Sequence, residues 1–207
     1  TQDNGSPQFD WNAPNSGSED ITTGDGAFSY MGAQFVYASS QQGVVSRYSL
    51  SGSFLSELTP TGASGQLFIH PWSVDPSDET IMYYPVGEVI RRNTSINSAV
   101  NGNGWTALPS VAGPPGTNVT ALTVSLANPQ HRLYFAASGA NSPSIFRLDD
   151  SHTATSGAVD ISIPGLSNDP QSNGPYVHGI AVNPDNGNEI LVIMSNYNII
   201  GLYHSSD

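Results

Sequence analysis

One pattern recurs along this chain at an interval of about fifty residues, the length of a four-stranded repeat unit. His70-Pro71-Trp72-Ser73-Val74-Asp75-Pro76 is followed by Ile81-Met82-Tyr83-Tyr84 and Glu88-Val89-Ile90-Arg91. Thr123-Val124-Ser125-Leu126-Ala127-Asn128-Pro129 is followed by Leu133-Tyr134-Phe135 and Ser144-Ile145-Phe146-Arg147. His178-Gly179-Ile180-Ala181-Val182-Asn183-Pro184 is followed by Ile190-Leu191-Val192-Ile193 and Gly201-Leu202-Tyr203-His204. The anchoring prolines, Pro76, Pro129 and Pro184, are 53 and 55 residues apart. A weaker first copy runs Ala27–Tyr30, Phe35–Tyr37 and Val44–Arg47. Such a unit cannot bury its apolar surface alone, so neighbouring units must stack.

Each unit reads as short strands. The runs are β-branched and aromatic and are separated by Pro, Asn, Asp or Gly. A fourth, outer strand is expected at Phe54–Leu58, Trp105–Leu108 and Val159–Ile163. Asp75-Pro76-Ser77-Asp78 and Asn183-Pro184-Asp185-Asn186-Gly187 are turn sequences, Pro presetting φ and Asn and Gly tolerating positive φ. No segment keeps a 3.6-residue period. The expectation is an all-β protein, a β-propeller of four-stranded antiparallel blades. A two-sheet sandwich would leave the repeat unexplained. The blades are expected at approximately 21–62, 63–115, 116–168 and 169–207, after a polar, Pro- and Gly-rich segment at 1–20 that forms a loop or the tail of a preceding blade.

Composition removes several functions. The 207 residues carry 17 acids, five arginines and no lysine, for a formal charge of −12. Nucleic acid and anionic membrane surfaces both need clustered cations. No apolar run nears the roughly 18 residues that would span a bilayer. With no cysteine there is no disulfide, thiolate metal site or thiol catalysis. Only 11% of residues are charged. A low-charge, Ser/Thr/Asn-rich surface suits an extracellular or cell-surface setting. The chain starts at Thr with no signal peptide, so a processed product or an excerpt is expected. Aligning the third strands places Arg47, Arg91, Arg147 and His204 in one position. Its expected role is structural, a guanidinium tying adjacent blades through carboxylates or carbonyls.

The final run, Leu202-Tyr203-His204-Ser205-Ser206-Asp207, matches the start of an Asp-box, Ser/Thr-x-Asp-x-Gly-x-x-Trp, and Arg147-Leu148-Asp149-Asp150 keeps its acidic position. On these residues the chain resembles the Asp-box (BNR-repeat) propellers, the family of sialidases, sortilin-type receptors and xyloglucanase-type glycoside hydrolases. The resemblance implies a ring of six to eight blades or more, of which about four are present. The alternative is a small four-bladed ring in which Phe9-Asp10-Trp11 supplies the last outer strand.

Propellers bind ligands where the loops leading into the innermost strands converge. In this chain those positions are Asp25, His70, Thr123 and His178, with Trp72, Tyr176 and Tyr197 as nearby aromatic faces. Their chemistry suits a sugar or a peptide, although a histidine beside a strand end also serves to satisfy backbone groups. No cofactor or metal is expected. Asp185–Glu189 offers oxygen ligands but not the spacing of a calcium loop. Glycoside hydrolysis needs two carboxyl groups about a scissile bond. Asp25, Asp75, Asp149, Asp150, Asp169 and Asp185 are available without distinguishing context. Asn4-Gly5-Ser6, Asn93-Thr94-Ser95 and Asn118-Val119-Thr120 fit the glycosylation pattern. The expected function is a non-catalytic propeller module of a secreted or cell-surface protein. Its partner is glycan or extracellular protein, not nucleic acid or inserted membrane. A xyloglucanase-type hydrolase and a structural subunit of an extracellular assembly are the alternatives.

Overall fold

Most of the strand sequences read above form strands, the expected outer strand at Val159–Ile163 only over Val159–Asp160, in a computed structural model of the chain, which describes residues 3–9, 17–139, 143–164, 166, 176–195 and 199–206. The described elements are strands, apart from one three-residue 3-10 turn at Gln41–Gly43. The chain divides into two units, Thr1–His70 with Ser95–Gly104, and Pro71–Thr94 with Trp105–Asp207.

The first unit contains the hairpin β1 (Pro7–Phe9) and β2 (Ser18–Asp20) and one four-stranded sheet. That sheet, blade 1, runs β3 (Gly26–Met31), β4 (Phe35–Ser40), β5 (Val45–Ser49) and β6 (Phe54–Glu57) in sequence order, all antiparallel. Val36, Ala38 and Tyr48 form its small core, with Ile21 packed against it. Phe9 pairs with Ser18, so it closes the N-terminal hairpin instead of supplying an outer strand elsewhere; Asp10 and Trp11 lie outside the described residues.

The second unit contains three sheets. Blade 2 consists of β7 (Ser73–Asp75), β8 (Asp78–Val86), β9 (Val89–Asn93) and β10 (Trp105–Ala112). Blade 3 consists of β11 (Asn118–Val124), β12 (Leu133–Ser138), β13 (Ser144–Leu148) and β14 (Val159–Asp160). Blade 4 has three described strands, β15 (Tyr176–Asn183), β16 (Asn186–Ser195) and β17 (Leu202–Ser205).

Period-2 alternation explains why these sheets stack. In blade 3, Leu122, Leu133, Phe135 and Leu148 point to one face and pack with Ile81, Tyr83, Ile90 and Leu108 of blade 2. Ala121, Tyr134, Ala136 and Ile145 point to the other and pack with Val177, Ile190, Val192 and Met194 of blade 4. A blade buried on both faces has apolar residues at consecutive positions, which is why Leu133–Ala137 reads as an unbroken apolar run.

Two local expectations need correction. Gly187 does not serve a positive-φ turn; it lies inside β16. It is glycine because blade 3 comes close: a Cβ would sit 2.5 Å from Ser125 Oγ and 2.8 Å from the Ala127 carbonyl. The second correction concerns the repeated arginine. Arg47 pairs across the sheet with Tyr37, and Arg147 with Tyr134. In blade 2 the tyrosine that faces the next blade is Tyr83, and its cross-strand partner is Arg92, not Arg91. Adjacent arginines on a strand point to opposite faces, so the position is held by Arg47, Arg92 and Arg147. His204, opposite Leu191, takes the same place in blade 4.

Candidate functional site

The inner strands β11 and β15 carry β-bulges near their leading ends. In β15 the register slips between Val177 and Gly179, which leaves His178 as the extra residue, exposed to solvent. Tyr176, two residues earlier, begins the strand half-buried, and burial raises its phenol pKa. In β11 the slip falls between Val119 and Ala121, so the counterpart of His178 is Thr120. Thr123 lies one residue before the end of that strand, paired with Tyr134. Counting back from the shared proline missed this, because eight residues join Val124 to Leu133 whereas Asn183 and Asn186 close a two-residue turn. Thr120 is buried and holds the blades together. Its hydroxyl donates to the Val177 carbonyl at 2.7 Å and accepts from the Ser138 hydroxyl at 3.1 Å, and Ser138 Oγ in turn accepts from Val177 N–H at 3.2 Å. Thr120 and Ser138 are the residues that sequence reasoning passed over; their signal was a hydroxyl near the leading end of one apolar strand, β11, and at the trailing end of its partner, β12.

The other candidates fall as follows. Asp25 is half-buried just before β3; its carboxylate accepts from Asp3 N–H at 2.6 Å, and Gln41 brackets its backbone. His70 is buried, and its Nδ1 accepts from Leu67 N–H at 3.3 Å, within its own loop. Trp72 is 5% exposed, which covers the ring faces a sugar would stack on. Tyr197 lies outside the described residues, as does Asp169. Asn93 is fully buried, so that glycosylation triplet is inaccessible.

The opposite ends of the second unit's sheets hold most of its charge. Asp75 is 0% exposed; it accepts from Ser77 N–H and pairs with His131 Nδ1 at 2.8 Å, joining a turn of blade 2 to the β11–β12 loop of blade 3. The His131 and His152 rings lie 4.1 Å apart. Asp78 begins β8; hydrogen bonding from the Thr80 hydroxyl, with these histidines nearby, holds its carboxyl below the usual range. Arg132 donates to Asp149 at 2.5 Å and to the Asn188 side chain, joining blades 3 and 4. Asn183 Nδ2 donates to Glu189, which also bonds His204 Nε2 at 2.7 Å and has a lowered pKa through those two bonds. The oxygen-rich turn at Asp185–Glu189 thus spends its Asn and Glu groups on protein partners.

No protein-family model matches the chain, and no curated protein matches it. Solved structures match in fold. The extracellular domain of a proposed one-component system from Bacteroides thetaiotaomicron superposes with a TM-score of 0.60 at 14% identity, over 99% of this chain and 26% of that one. An ancestral GH74 enzyme gives 0.58 at 14% identity, over 88% of this chain and 23% of that one. The Cps50 (Swd1) β-propeller domain of Myceliophteria thermophila gives 0.56 at 12%, over 85% and 51%. The chain folds as several blades of a β-propeller. It spans about a quarter to a half of the length of these structures, and at such identities the likeness is one of fold. No helix among the described residues is long and apolar enough to cross a membrane.

Proposed function

We propose that the chain is a non-catalytic propeller module of a secreted or cell-surface protein of the Asp-box type, and that it binds glycan or protein through the leading ends of its inner strands. The employment of the acids carries this reading. Asp75 is sealed against His131, Asp149 is held by Arg132, and Asp25 ties down the backbone of Asp3. Asp150 and Asp185 lie in exposed turns. A glycosidase needs two carboxyl groups free to face a scissile bond. His178 and Tyr176 offer instead an exposed imidazole and a half-covered phenol ring on one strand end, suited to neutral hydrogen bonding and stacking. The low-charge surface and the extracellular setting of one structural neighbour support the compartment.

The experiment has two arms on the purified chain. Binding to a glycan array should be saturable and should fall about tenfold in His178→Ala, the loss expected of one or two ligand hydrogen bonds. Incubation with xyloglucan should release no reducing ends. Reducing-end release that disappears on substitution of Asp25, Asp150 or Asp185 would replace this reading with the hydrolase.

A further inference from the structure

The chain holds five Asn-Gly steps, Asn4-Gly5, Asn101-Gly102, Asn103-Gly104, Asn173-Gly174 and Asn186-Gly187, of which Asn173-Gly174 lies outside the described residues. At such a step the glycine nitrogen can attack the asparagine side-chain amide, because no Cβ screens the approach. The attack needs a glycine N–H that no acceptor holds, and room for the backbone to turn. Three of the steps lack both. Gly5 is buried, its N–H donates to the Gly24 carbonyl at 2.7 Å, and the Thr22 carbonyl lies 2.0 Å from where a Cβ would be. Gly102 is buried, its N–H donates to the Glu57 carbonyl at 3.2 Å, and its carbonyl accepts from Thr61 N–H at 3.1 Å. Gly187 lies inside β16, its N–H donates to the Asn128 carbonyl at 3.1 Å, and the Asn186 side chain accepts from Asn188 N–H. Gly104 differs. Asn103 and Gly104 are both exposed, Gly104 has a φ of 85° (written +85 in the left-handed region), and its N–H donates no hydrogen bond among the described residues.

We propose that Asn103-Gly104 is a site of spontaneous covalent modification, a step where folding leaves deamidation open. Solvent base takes the Gly104 amide proton, and the nitrogen forms a bond to Asn103 Cγ. The C–N bond of the side-chain amide breaks, and its nitrogen leaves as ammonia with a proton gained from water. Water then opens the five-membered imide at either carbonyl, which leaves aspartate or isoaspartate at position 103. Water and its hydroxide are the only co-reactants, and nothing is oxidised or reduced. The product adds a carboxylate to a chain of formal charge −12. Isoaspartate also lengthens the backbone by one methylene. That change falls between two anchored stretches. On one side Asn101 N–H donates to Ser56 Oγ and Gly102 N–H to Glu57. On the other, Trp105 opens β10 opposite Asn93. The modification therefore acts on the entry into β10. Sequence ranks the Asn-Gly steps alike; the hydrogen bonds separate them. The site is distinct from the strand end at His178 and does not depend on the ligand proposed there.

The test is peptide mapping by mass spectrometry after the purified chain has stood at mildly alkaline pH, folded in buffer or unfolded in guanidinium chloride. Digestion at acidic pH keeps further conversion out of the map. In denaturant the steps should convert at similar rates, since the local chemistry is the same. In the folded chain Asn103 should keep close to its unfolded rate. Asn4, Asn101 and Asn186 should each slow by about tenfold or more, because a hydrogen bond must open before the glycine nitrogen can attack. The product at position 103 should be a substrate for an isoaspartate methyltransferase, and Asn103→Gln should remove both that reactivity and the mass change from this step. Protection of Asn103 by folding as strong as that of the other three overturns the proposal. So does conversion of Asn4, Asn101 or Asn186 in the folded chain at the rate of Asn103, and so does an Asn103 that converts slowly in both states.

Discussion

Replacing Arg92 by alanine should cost far more than replacing its neighbour Arg91, although the two look alike in sequence. Arg92 is 9% exposed and makes two charge-assisted bonds to backbone carbonyls, one of them on buried Ser151. Bonds to a charged group contribute about 1.5–3 kcal/mol each, and an orphaned buried carbonyl adds a further penalty. Ala154 is only half-buried, so water recovers part of its share. The expected loss is about 3 kcal/mol. Arg91 is half-buried on the face of Tyr84 and Ala107, and its truncation should cost about 0.5–1 kcal/mol through lost packing of the stem. With a urea m-value near 2–3 kcal/mol/M for a chain of this size, the two midpoints should differ by about 1 M. A second measurement isolates the cause. Tyr83 shares a hydroxyl–hydroxyl bond of 2.8 Å with the same Ser151, so Tyr83→Phe and Arg92→Ala should couple by about 1 kcal/mol in a double-mutant cycle. If Arg91→Ala shifts the midpoint as far as Arg92→Ala, the face assignment across β8 and β9 is refuted.

Other expectations can be checked in the same way. His131→Ala leaves Oδ2 of the buried Asp75 carboxylate without its partner, Ser77 N–H holding only Oδ1, and should lower stability by about 2–3 kcal/mol in urea unfolding. Gly187→Ala forces a Cβ into the β11–β12 loop and should cost about 2 kcal/mol, whereas Gly87→Ala, with open space but positive φ, should cost about 1 kcal/mol. Gly102→Ala combines positive φ with a Cβ 2.1 Å from the Thr59 carbonyl and should cost the most of the three, about 3 kcal/mol or more by thermal melting. The Asp78 carboxyl is lowered in the folded chain, so its contribution is present above the ordinary carboxylate pKa and is lost as pH falls through the lowered value. Carboxyl NMR should show that midpoint moving up in Thr80→Val, and no movement would discount the hydroxyl as its main cause.

The blades were legible because stacking sheets impose a spacing on the chain. Short β-branched and aromatic runs bounded by Pro, Asn and Gly read as strands, and their return at 53 and 55 residues points to like units packing on like. What sequence could not supply was register. A strand alternates faces with period 2, so a single slipped residue exchanges inside for outside. This hid Arg92 behind Arg91, and the eight-residue β11–β12 loop, against a two-residue turn in blade 4, hid Thr120 behind Thr123 in the count from the proline. Trp72 was misjudged for a related reason: an aromatic just before a short strand can face core or solvent, and the sequence around it is the same either way. The candidate site suffers most from this ambiguity, since ligand groups sit at strand ends where bulges concentrate.

The bulge itself gives the two counterparts different work. Thr120 and His178 each occupy the extra position of an inner strand. The Thr120 hydroxyl turns back onto the next blade's carbonyl, whereas the His178 ring remains exposed to solvent. The same bulge position thus joins blades where a carbonyl of the next blade lies in reach, as at Thr120, and is available to a ligand where it stays exposed, as at His178. Exchanging the two types would test this directly. His178→Thr should weaken binding about tenfold without loss of stability, because the exposed His178 ring has no buried contact to lose. Thr120→His should destabilise by about 2–3 kcal/mol, since it both breaks the bonds to Val177 and Ser138 and overfills the contact. Equal stability of the two variants would show that the bulge does not sort its residues in this way.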